Sequence, residues 1–458
     1  MALALETHAA RLPELGGPPG EAWVLFEVRG APEPDAEEVT VARAPLFLTL
    51  AIDASSSMRG PRFALALQAT RQVIDTLGPS DRLAVVTFDR HARLALSPVS
   101  LDAKGCADAR HALDRLSTGI GTNLDAGWRE AADALLRVAV PGALRRVLLL
   151  SDGYPSRGET QRDVLRARVA EGRARGVETS VVGIGDGIDE GLCALLAEAG
   201  DGRFHYVRDE GAIGDAVAAE VEGAKNLAAR DVSLMLQLTP RVERAEVIQR
   251  FACRPVGATL DVRLGAVGRD APRRVLAAVK LKDGTADAMI GIALAQGQRA
   301  STLPPRSAAP TRPGFALGKW PESVDDASLD RTEAVTVMLD ADGGSTEARR
   351  RVAWELLAHR TLAEVRSAWD ALDAGDRDAV LRRLDRARAL RRLLVERGLV
   401  ARSEVDAIPD VDVVQAAMFA AGGEAREARR RFASWAHNTQ HSFAGVALPV
   451  PRKIAPRG

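Results

Sequence analysis

The chain predicts an α/β fold, a doubly wound and mostly parallel Rossmann-like sheet, extended by an antiparallel β-sandwich region and a C-terminal helical region. Three observations carry this. Between Leu46 and about residue 226 of the 458-residue chain, short continuous apolar runs alternate with longer amphipathic stretches, as expected of strands buried on both faces and covered by helices. Beyond residue 228 the apolar period shortens to two, the mark of strands with one wet face. From Ser345 the spacing returns to that of a helix.

The first region, 44–226, opens with LFLTLAI (46–52), followed by the helical RFALALQATRQVIDTLG. RLAVVTF (82–88) and ARLALS (92–97) precede a helix near 102–116, and RRVLLLS (145–151) precedes one near 160–175. VETSVVGIG (177–185) leads into DEGLCALLAEAG, and RFHYV (203–207) into a helix near 210–225. In such sheets ligands sit beyond the carboxyl ends of the strands, which directs attention to the loops after 52, 116 and 151.

In the second region, 228–340, DVSLMLQL places Val232, Leu234, Leu236 and Leu238 on one face, and TLDVRL, RVLAAVKL and DAMIGIALA repeat the pattern. Before the α/β region, within 20–43, WVLFEVRG (23–30) and EVTVA (38–42) have the same character, so the α/β domain reads as an insertion into a β-sandwich. Residues 298–331, rich in Pro, Ser, Thr and Arg, read as a long loop, after which EAVTVMLD (333–340) returns one strand. Over 345–440, Val352, Leu356, Leu362, Val365, Trp369 and Leu372 share a helix face, and AGD (374–376) supplies a Gly stop and an Asp start. A second helix carries Leu381, Leu384, Leu390 and Leu394, and a further one is expected around 411–436.

Lys+Arg and Asp+Glu balance at 62 each, which gives no whole-chain argument for nucleic acid or an anionic membrane. Cys106, Cys193 and Cys253 are far apart and without CxxC spacing, so neither a disulfide framework nor a zinc site is expected. The start MALALETHAARLPELGG lacks a basic segment followed by an apolar one, and no apolar run reaches membrane-spanning length. A cytoplasmic setting is the expectation.

The stretch AIDASSSMRG (51–60) leaves the first strand through an aspartate and three serines. In an extended segment Asp53, Ser55 and Ser57 project to one side. A cap for the helix that starts near Pro61 is one reading. The other is a metal site, and two further strand-end loops bear on it. STGIGTNLDAGW (117–128) places Thr122 before a helix, and LLLSDGYPSRG (148–158) places Asp152 at the end of a buried strand. Two carboxylates and three hydroxyls, without His or Cys, suit Mg²⁺, Mn²⁺ or Ca²⁺ rather than zinc or copper.

On these residues the stretch 44–226 resembles the von Willebrand factor A family, whose metal-ion-dependent adhesion site is a DxSxS loop, a Thr in a second loop and an Asp in a third. DRLAVVTF, GIGTNL and RRVLLLSDG are similar to the family's wording, and the surrounding β and helical regions resemble bacterial members. The resemblance implies that Ser55 and Ser57 bind Mg²⁺ through their hydroxyls, Thr122 directly or through water, and Asp53 and Asp152 mostly through water. It also implies a final coordination position for an Asp or Glu carboxylate of a protein partner. Bacterial members of the family often work beside AAA+ ATPases or in secretion and defence systems.

Other signals weigh less. GIGDG (183–187) fails GxGxxG because Ile188 stands where the third Gly belongs, and no P-loop is present. An enzyme is not expected, since hydrolysis or phosphoryl transfer at the same metal needs a positioned base or nucleophile beyond these five oxygens. The Arg-rich segments 382–392 and 424–432 read as solvated helix faces with carboxylates at local pairing distance; the competing reading is a nucleic-acid adaptor. Trp354, Trp369 and Trp435 are expected as core anchors.

Overall fold

The structure is a computed structural model that describes residues 2–13, 21–31, 44–138, 143–208, 210–238, 242–249, 251–256, 259–269, 272–282, 288–296, 330–339, 344–405, 408–420 and 423–440. The expected strand at 38–42 and nearly all of the Pro-rich stretch lie outside these residues. The chain begins with a hairpin of β1 (Ala2–Ala10) and β2 (Glu21–Ala31), paired antiparallel. Sequence reasoning missed β1, whose ALALETHAA carries too little β-branched or aromatic character to stand out.

The α/β domain follows as β3 (Leu46–Asp53), α1 (Pro61–Thr76), β4 (Arg82–Phe88), β5 (Ala92–Ser100), α2 (Ala103–Leu113), α3 (Leu124–Arg137), β6 (Leu144–Ser151), α4 (Arg162–Ala174), β7 (Val177–Ile184), α5 (Glu190–Ala199), β8 (Asp201–Val207) and α6 (Ile213–Lys225). Its strands form one sheet in the order β5-β4-β3-β6-β7-β8, parallel except for the β4–β5 pair. Every residue of β3 is buried because helices cover both faces. Leu48, Leu50 and Ile52 pack towards α1 and α6, and Phe47 and Ala51 towards α3. The strand order reverses between β3 and β6, so their carboxyl ends open a crevice with no crossover above it.

After the α/β domain come β9 (Leu227–Leu238), β10 (Val242–Val247), β11 (Ala252–Val256), β12 (Thr259–Gly268), β13 (Arg273–Leu281), β14 (Ala288–Gln296) and β15 (Asp330–Leu339). They form two antiparallel sheets, β1-β2-β13-β10 and β11-β12-β9-β14-β15. Val24, Phe26 and Val28 of β2 meet Val232, Leu234 and Leu236 of β9 in the shared core, so the N-terminal hairpin does complete a sandwich. Pro255 sits on β11, an edge strand where a missing N–H is tolerated.

The helical region contains α7 (Thr346–Asp373), α8 (Arg377–Glu396), the short α9 (Arg402–Val405), α10 (Val411–Met418) and α11 (Gly423–Gln440). Ser345 and Asp376 cap α7 and α8 by accepting from the Ala348 and Ala379 amides at 3.1 and 2.8 Å. The other face of β2, through Trp23 and Leu25, packs on this region together with Trp369 and Trp435. One helix was expected around 411–436; among the described residues there are two, α10 ending at Met418 and α11 starting at Gly423.

Helix α11 also covers the outer edge of the α/β sheet. Ser434 Oγ donates to the Phe204 carbonyl at 2.8 Å, and Asn438 Nδ2 donates to the same oxygen at 3.0 Å. His437 Nε2 lies 3.0 Å from the Gly202 carbonyl. Side chains thereby satisfy backbone groups of β8 that an open edge would present to other strands. The arginines of 424–432 serve this dock: Arg430 donates to the Asp186 carbonyl at 2.5 Å, and Arg429 to Asp373 at 2.7 Å. In α8, Arg388 donates to Asp385 and Asp412 at 2.7 Å each.

Burial holds the His437 imidazole down at about 4, with His205, Arg273 and Arg366 adding repulsion and the Gly202 carbonyl opposing it. A base depressed in the folded state loses stabilisation as pH falls from its ordinary 6.5 towards 4. Acidification over that window is therefore expected to lower the hydrogen-exchange protection factors of α11 amides, after correction for the pH dependence of the intrinsic rate, by roughly 10-fold or more. His437→Gln, which keeps a donor for Gly202, should flatten the profile; an unchanged pH profile in that variant contradicts the assignment.

Candidate metal centre

At the end of β3 the chain makes a short 3-10 turn, Ser56–Met58, before α1 begins. None of the serines caps that helix. Its cap position is Gly60 at φ +90°, a left-handed value that favours glycine, and Pro61 opens the first turn. Ser55, ahead of the 3-10 turn, makes no side-chain capping bond either. The hydroxyls are instead turned towards β6.

Ser55 Oγ and Ser57 Oγ lie 2.9 Å apart, and Ser57 Oγ donates to Asp152 Oδ1 at 2.8 Å. Asp53 Oδ1 accepts from the Ser55 amide at 2.8 Å, and its Oδ2 accepts from Ser151 Oγ at 2.6 Å. Four of the five residues singled out from sequence thus form one connected oxygen cluster at the β3–β6 crevice. Asp53, Ser55 and Asp152 are buried, while Ser57 is exposed and marks the side from which a ligand enters.

Thr122 joins this assembly through the backbone. Its amide donates to Ser156 Oγ at 3.0 Å, and its carbonyl accepts from the Ser156 and Arg157 amides at 2.9 and 3.1 Å. The Gly119 amide donates to the Ala54 carbonyl at 2.6 Å, which ties the Thr122 loop to the DxSxS loop. Asn123 caps α3 by accepting from the Ala126 amide at 3.1 Å, fixing where that loop ends. The loops after β3 and β6 and the α2–α3 connection are therefore cross-linked by their own backbones, with Thr122 buried among them; the sequence reading of the Thr122 segment as a strand-end loop is corrected, since α2 lies between it and β5.

Two participants escaped sequence reasoning. Ser151 holds Asp53, and its place beside Asp152 at a strand end was the available signal. Arg62 donates to Asp152 Oδ2 at 2.9 Å, from a side chain 30% exposed to one that is fully buried. A cation in the first turn of a helix works against the helix dipole, so its position is explained by the carboxylate it neutralises. The turn after β7 supports both partners. A Cβ on Gly185 would stand 2.9 Å from Arg62 Nη2, and one on Gly187 would stand 2.5 Å from the Asp152 carbonyl.

Burial pushes the Asp53 carboxyl up to about 6; hydrogen bonds from Ser151 and Ser55 oppose this and the nearby Asp152 adds to it. Two carboxylates sharing a dry crevice with one guanidinium leave negative charge insufficiently compensated. All the converging donors are oxygens, so the residues present fit a hard divalent cation, with Asp53, Ser55, Ser57 and Asp152 around it and Thr122 on the adjoining loop. A second cluster, Glu6, His8 and Glu27, also brings acids and an imidazole together. There, Arg29 and Arg351 flank Glu6, Arg274 and Arg351 pair with Glu27 at 2.8 and 2.7 Å, and burial together with Arg351 lowers the basicity of His8. That charge is already balanced, which disfavours a cation.

Comparison with known proteins bears on the fold that carries these loops. Residues 48–219 match the sequence model of the von Willebrand factor type A domain. The chain is 28% identical over 246 residues to the uncharacterized protein sll0103 of Synechocystis, covering 51% of this chain and 57% of that protein. It is 26% identical over 195 residues to the uncharacterized protein YfbK of Escherichia coli, covering 42% of this chain and 34% of that one. The match thus spans little more than half of the first relative and about a third of the second. Among solved structures, a von Willebrand factor type A protein from Catenulispora acidiphila aligns over 97% of both chains with a TM-score of 0.65 at 18% identity. The ArnB paralog VWA2 from Sulfolobus acidocaldarius aligns over 97% of this chain and 100% of its own with a TM-score of 0.55 at 15% identity. The fold is therefore that of a von Willebrand factor type A domain accompanied by antiparallel sheets and C-terminal helices.

The charge balance has a measurable consequence. Because the folded carboxyl of Asp53 titrates at about 6 rather than 3.8, the metal-free protein should lose stability as pH rises through that window, on the order of 3 kcal/mol. Protons and Mg²⁺ then compete, and calorimetric Mg²⁺ affinity should fall as pH drops below about 6. Arg62→Gln should destabilise the metal-free protein by roughly 2–3 kcal/mol, by leaving Asp152 buried without its cation. The same variant should gain more in melting temperature from Mg²⁺ than the wild type does. An Mg²⁺ affinity indifferent to both pH and Arg62 would contradict this electrostatic account.

Proposed function

We propose that the chain is a divalent-cation-dependent protein-binding module, in which Asp53, Ser55, Ser57, Thr122 and Asp152 hold Mg²⁺ and a partner protein supplies an Asp or Glu carboxylate. The observation that carries this reading is the oxygen cluster at the β3–β6 crevice, in which Ser55, Ser57 and Asp152 are linked at 2.9 and 2.8 Å with only Ser57 open to solvent. Von Willebrand factor type A domains commonly serve as interaction modules built on such a site. A bound divalent cation supplies the positive charge that a partner's carboxylate seeks, where the apo crevice alone would repel it.

The protein's own residues set how strongly that works. Asp53 is held in place by Ser151 and the Ser55 amide, which keeps its charge near the crevice without freeing it to move into the entry position. Ser57 is the outermost oxygen, so a ligand approaches across it. Asp152 shares its charge with Arg62, leaving the ion less neutralised than two free carboxylates would and better able to attract a third acid. The helical region adds a second anchored surface through Arg430 and the Asp186 turn. We place the protein in the cytoplasm, with an AAA+ ATPase or a secretion- or defence-system component as the partner classes to test first.

Affinity capture tests the reading. Proteins retained by the wild-type chain in Mg²⁺ buffer should be released by EDTA and should not be retained by Asp53→Ala or Ser55→Ala, with a loss of roughly 100-fold in affinity for a direct metal contact. Retention that survives both EDTA and the substitutions overturns it.

A further inference from the structure

The rim of the site carries features that metal coordination does not use. Among the large apolar side chains of the described residues, Ile120 is 66% exposed and Tyr154 is 57% exposed. They stand on the two loops that bring Thr122 and Asp152 to the crevice. Those loops are bonded to each other through the Thr122 carbonyl and the Ser156 and Arg157 amides, so the two side chains belong to one supported surface. Gly153, next to Tyr154, lies against Ser57: a Cβ there would stand 3.9 Å from Ser57 Oγ.

Cations accompany them. The Arg90 amide donates to the Ile120 carbonyl at 3.1 Å. A Cβ on Gly121 would meet Arg157 Cγ at 3.2 Å and Arg90 Cβ at 3.8 Å, so these two arginines flank the same glycine. Arg59 follows Ser57 by two residues. Among the described residues, Arg59, Arg90 and Arg157 are exposed and join no ion pair, whereas Arg62, deeper in, is committed to Asp152. The acids of the crevice, Asp53 and Asp152, are buried, so the exposed side chains that the Ile120 and Tyr154 loops present beside the entry include apolar and positive ones, while the exposed acid Asp186 stands on the turn after β7.

We propose that this rim receives an acidic and apolar segment of a protein partner: one carboxylate enters over Ser57, a neighbouring apolar side chain covers Ile120 and Tyr154, and a second acid meets Arg90 and Arg157. The inference rests on the metal-binding reading for the first contact and on charge complementarity and exposed apolar area for the others. A lone carboxylate on an ion is a small contact available to any surface acid. Two apolar anchors beside it supply selectivity, because desolvated apolar and aromatic contacts at the centre of an interface carry much of its energy. A nucleic acid would be drawn by the same arginines and could stack one base on Tyr154, but Ile120 beside it has no ring face for a second, so the pair favours an apolar side chain and oligonucleotide competition decides between them.

A random peptide library displayed against the immobilised full-length chain in Mg²⁺ buffer tests this. Enriched peptides should share an Asp or Glu with an apolar residue close by and a second acid. A synthetic copy of one of them should bind about 10-fold more weakly to Ile120→Ser/Tyr154→Ser, with Mg²⁺ affinity by calorimetry unchanged, and about 10-fold more weakly to Arg90→Gln/Arg157→Gln, with Mg²⁺ bound at least as tightly as in the wild type. All four side chains are exposed, so folding is expected to survive, and an unchanged melting temperature verifies it. Enriched peptides without the apolar neighbour, rim variants that bind as tightly as wild type, or displacement of the peptide by a single-stranded oligonucleotide would each overturn the proposal. Peptide binding lost in the rim variants but intact in EDTA and in Ser55→Ala would refute the metal reading and leave the rim standing; the reverse pattern would refute the rim alone.

Discussion

Two carboxylates placed at the ends of neighbouring parallel strands, both buried, form the constraint around which the α/β domain is arranged. Asp53 and Asp152 reach the same crevice because β3 and β6 are adjacent and the strand order reverses between them. Water does not solvate them there, so each must be held by something else. Ser151 and the Ser55 amide hold Asp53, and Ser57 and Arg62 hold Asp152. Burial pushes the Asp53 carboxyl up in spite of the hydrogen bonds from Ser151 and Ser55. On the reading proposed above, an added cation would complete the compensation of the two carboxylates.

The same constraint reaches outward into the fold. The turn after β7 must lie close to Asp152 and Arg62, which is why glycines stand at 185 and 187. That turn in turn receives Arg430 of α11 at the Asp186 carbonyl. The helical region is thus joined both to the edge strand β8 and to the loop that backs the crevice, while β2 packs its other face on α7 and its neighbours. A buried network of Arg146, Glu178, Glu220 and His205 stands on β6, β7, β8 and α6. There the guanidinium and imidazole hold the Glu220 carboxyl well below its usual range despite burial. Ion pairs matched in this way hold elements together, whereas the two buried carboxylates of the crevice share one guanidinium, Arg62.

Much of this was legible in the sequence, for identifiable reasons. Continuous apolar runs between helical stretches disclose a covered parallel sheet, and loops at the carboxyl ends of such strands are where polar residues such as Asp53, Ser55, Ser57 and Asp152 acquire meaning. The structure brings these four into direct hydrogen-bonded connection and places Thr122 on the α2–α3 connection, which is bonded to their loops. What was not legible depended on partners distant in the chain. Arg62 reads as one basic residue among many in an Arg-rich chain until Asp152, far along the sequence, is seen beside it. β1 has a composition too bland to announce a strand, and its pairing with β2 supplies what its sequence lacks. The arginines of α11 look like a solvated face, yet Arg430 is buried against the Asp186 turn.

The central claim is that the crevice between β3 and β6 is a divalent-cation site. Crystals of the wild-type protein grown with Mn²⁺ and measured at the manganese absorption edge test it most directly, because the anomalous signal locates the ion without assumptions about the ligands. The account predicts one strong peak among Asp53, Ser55, Ser57 and Asp152, absent from crystals of Ser55→Ala. No peak in the crevice at saturating Mn²⁺, or a peak only at Glu6, His8 and Glu27, would contradict it.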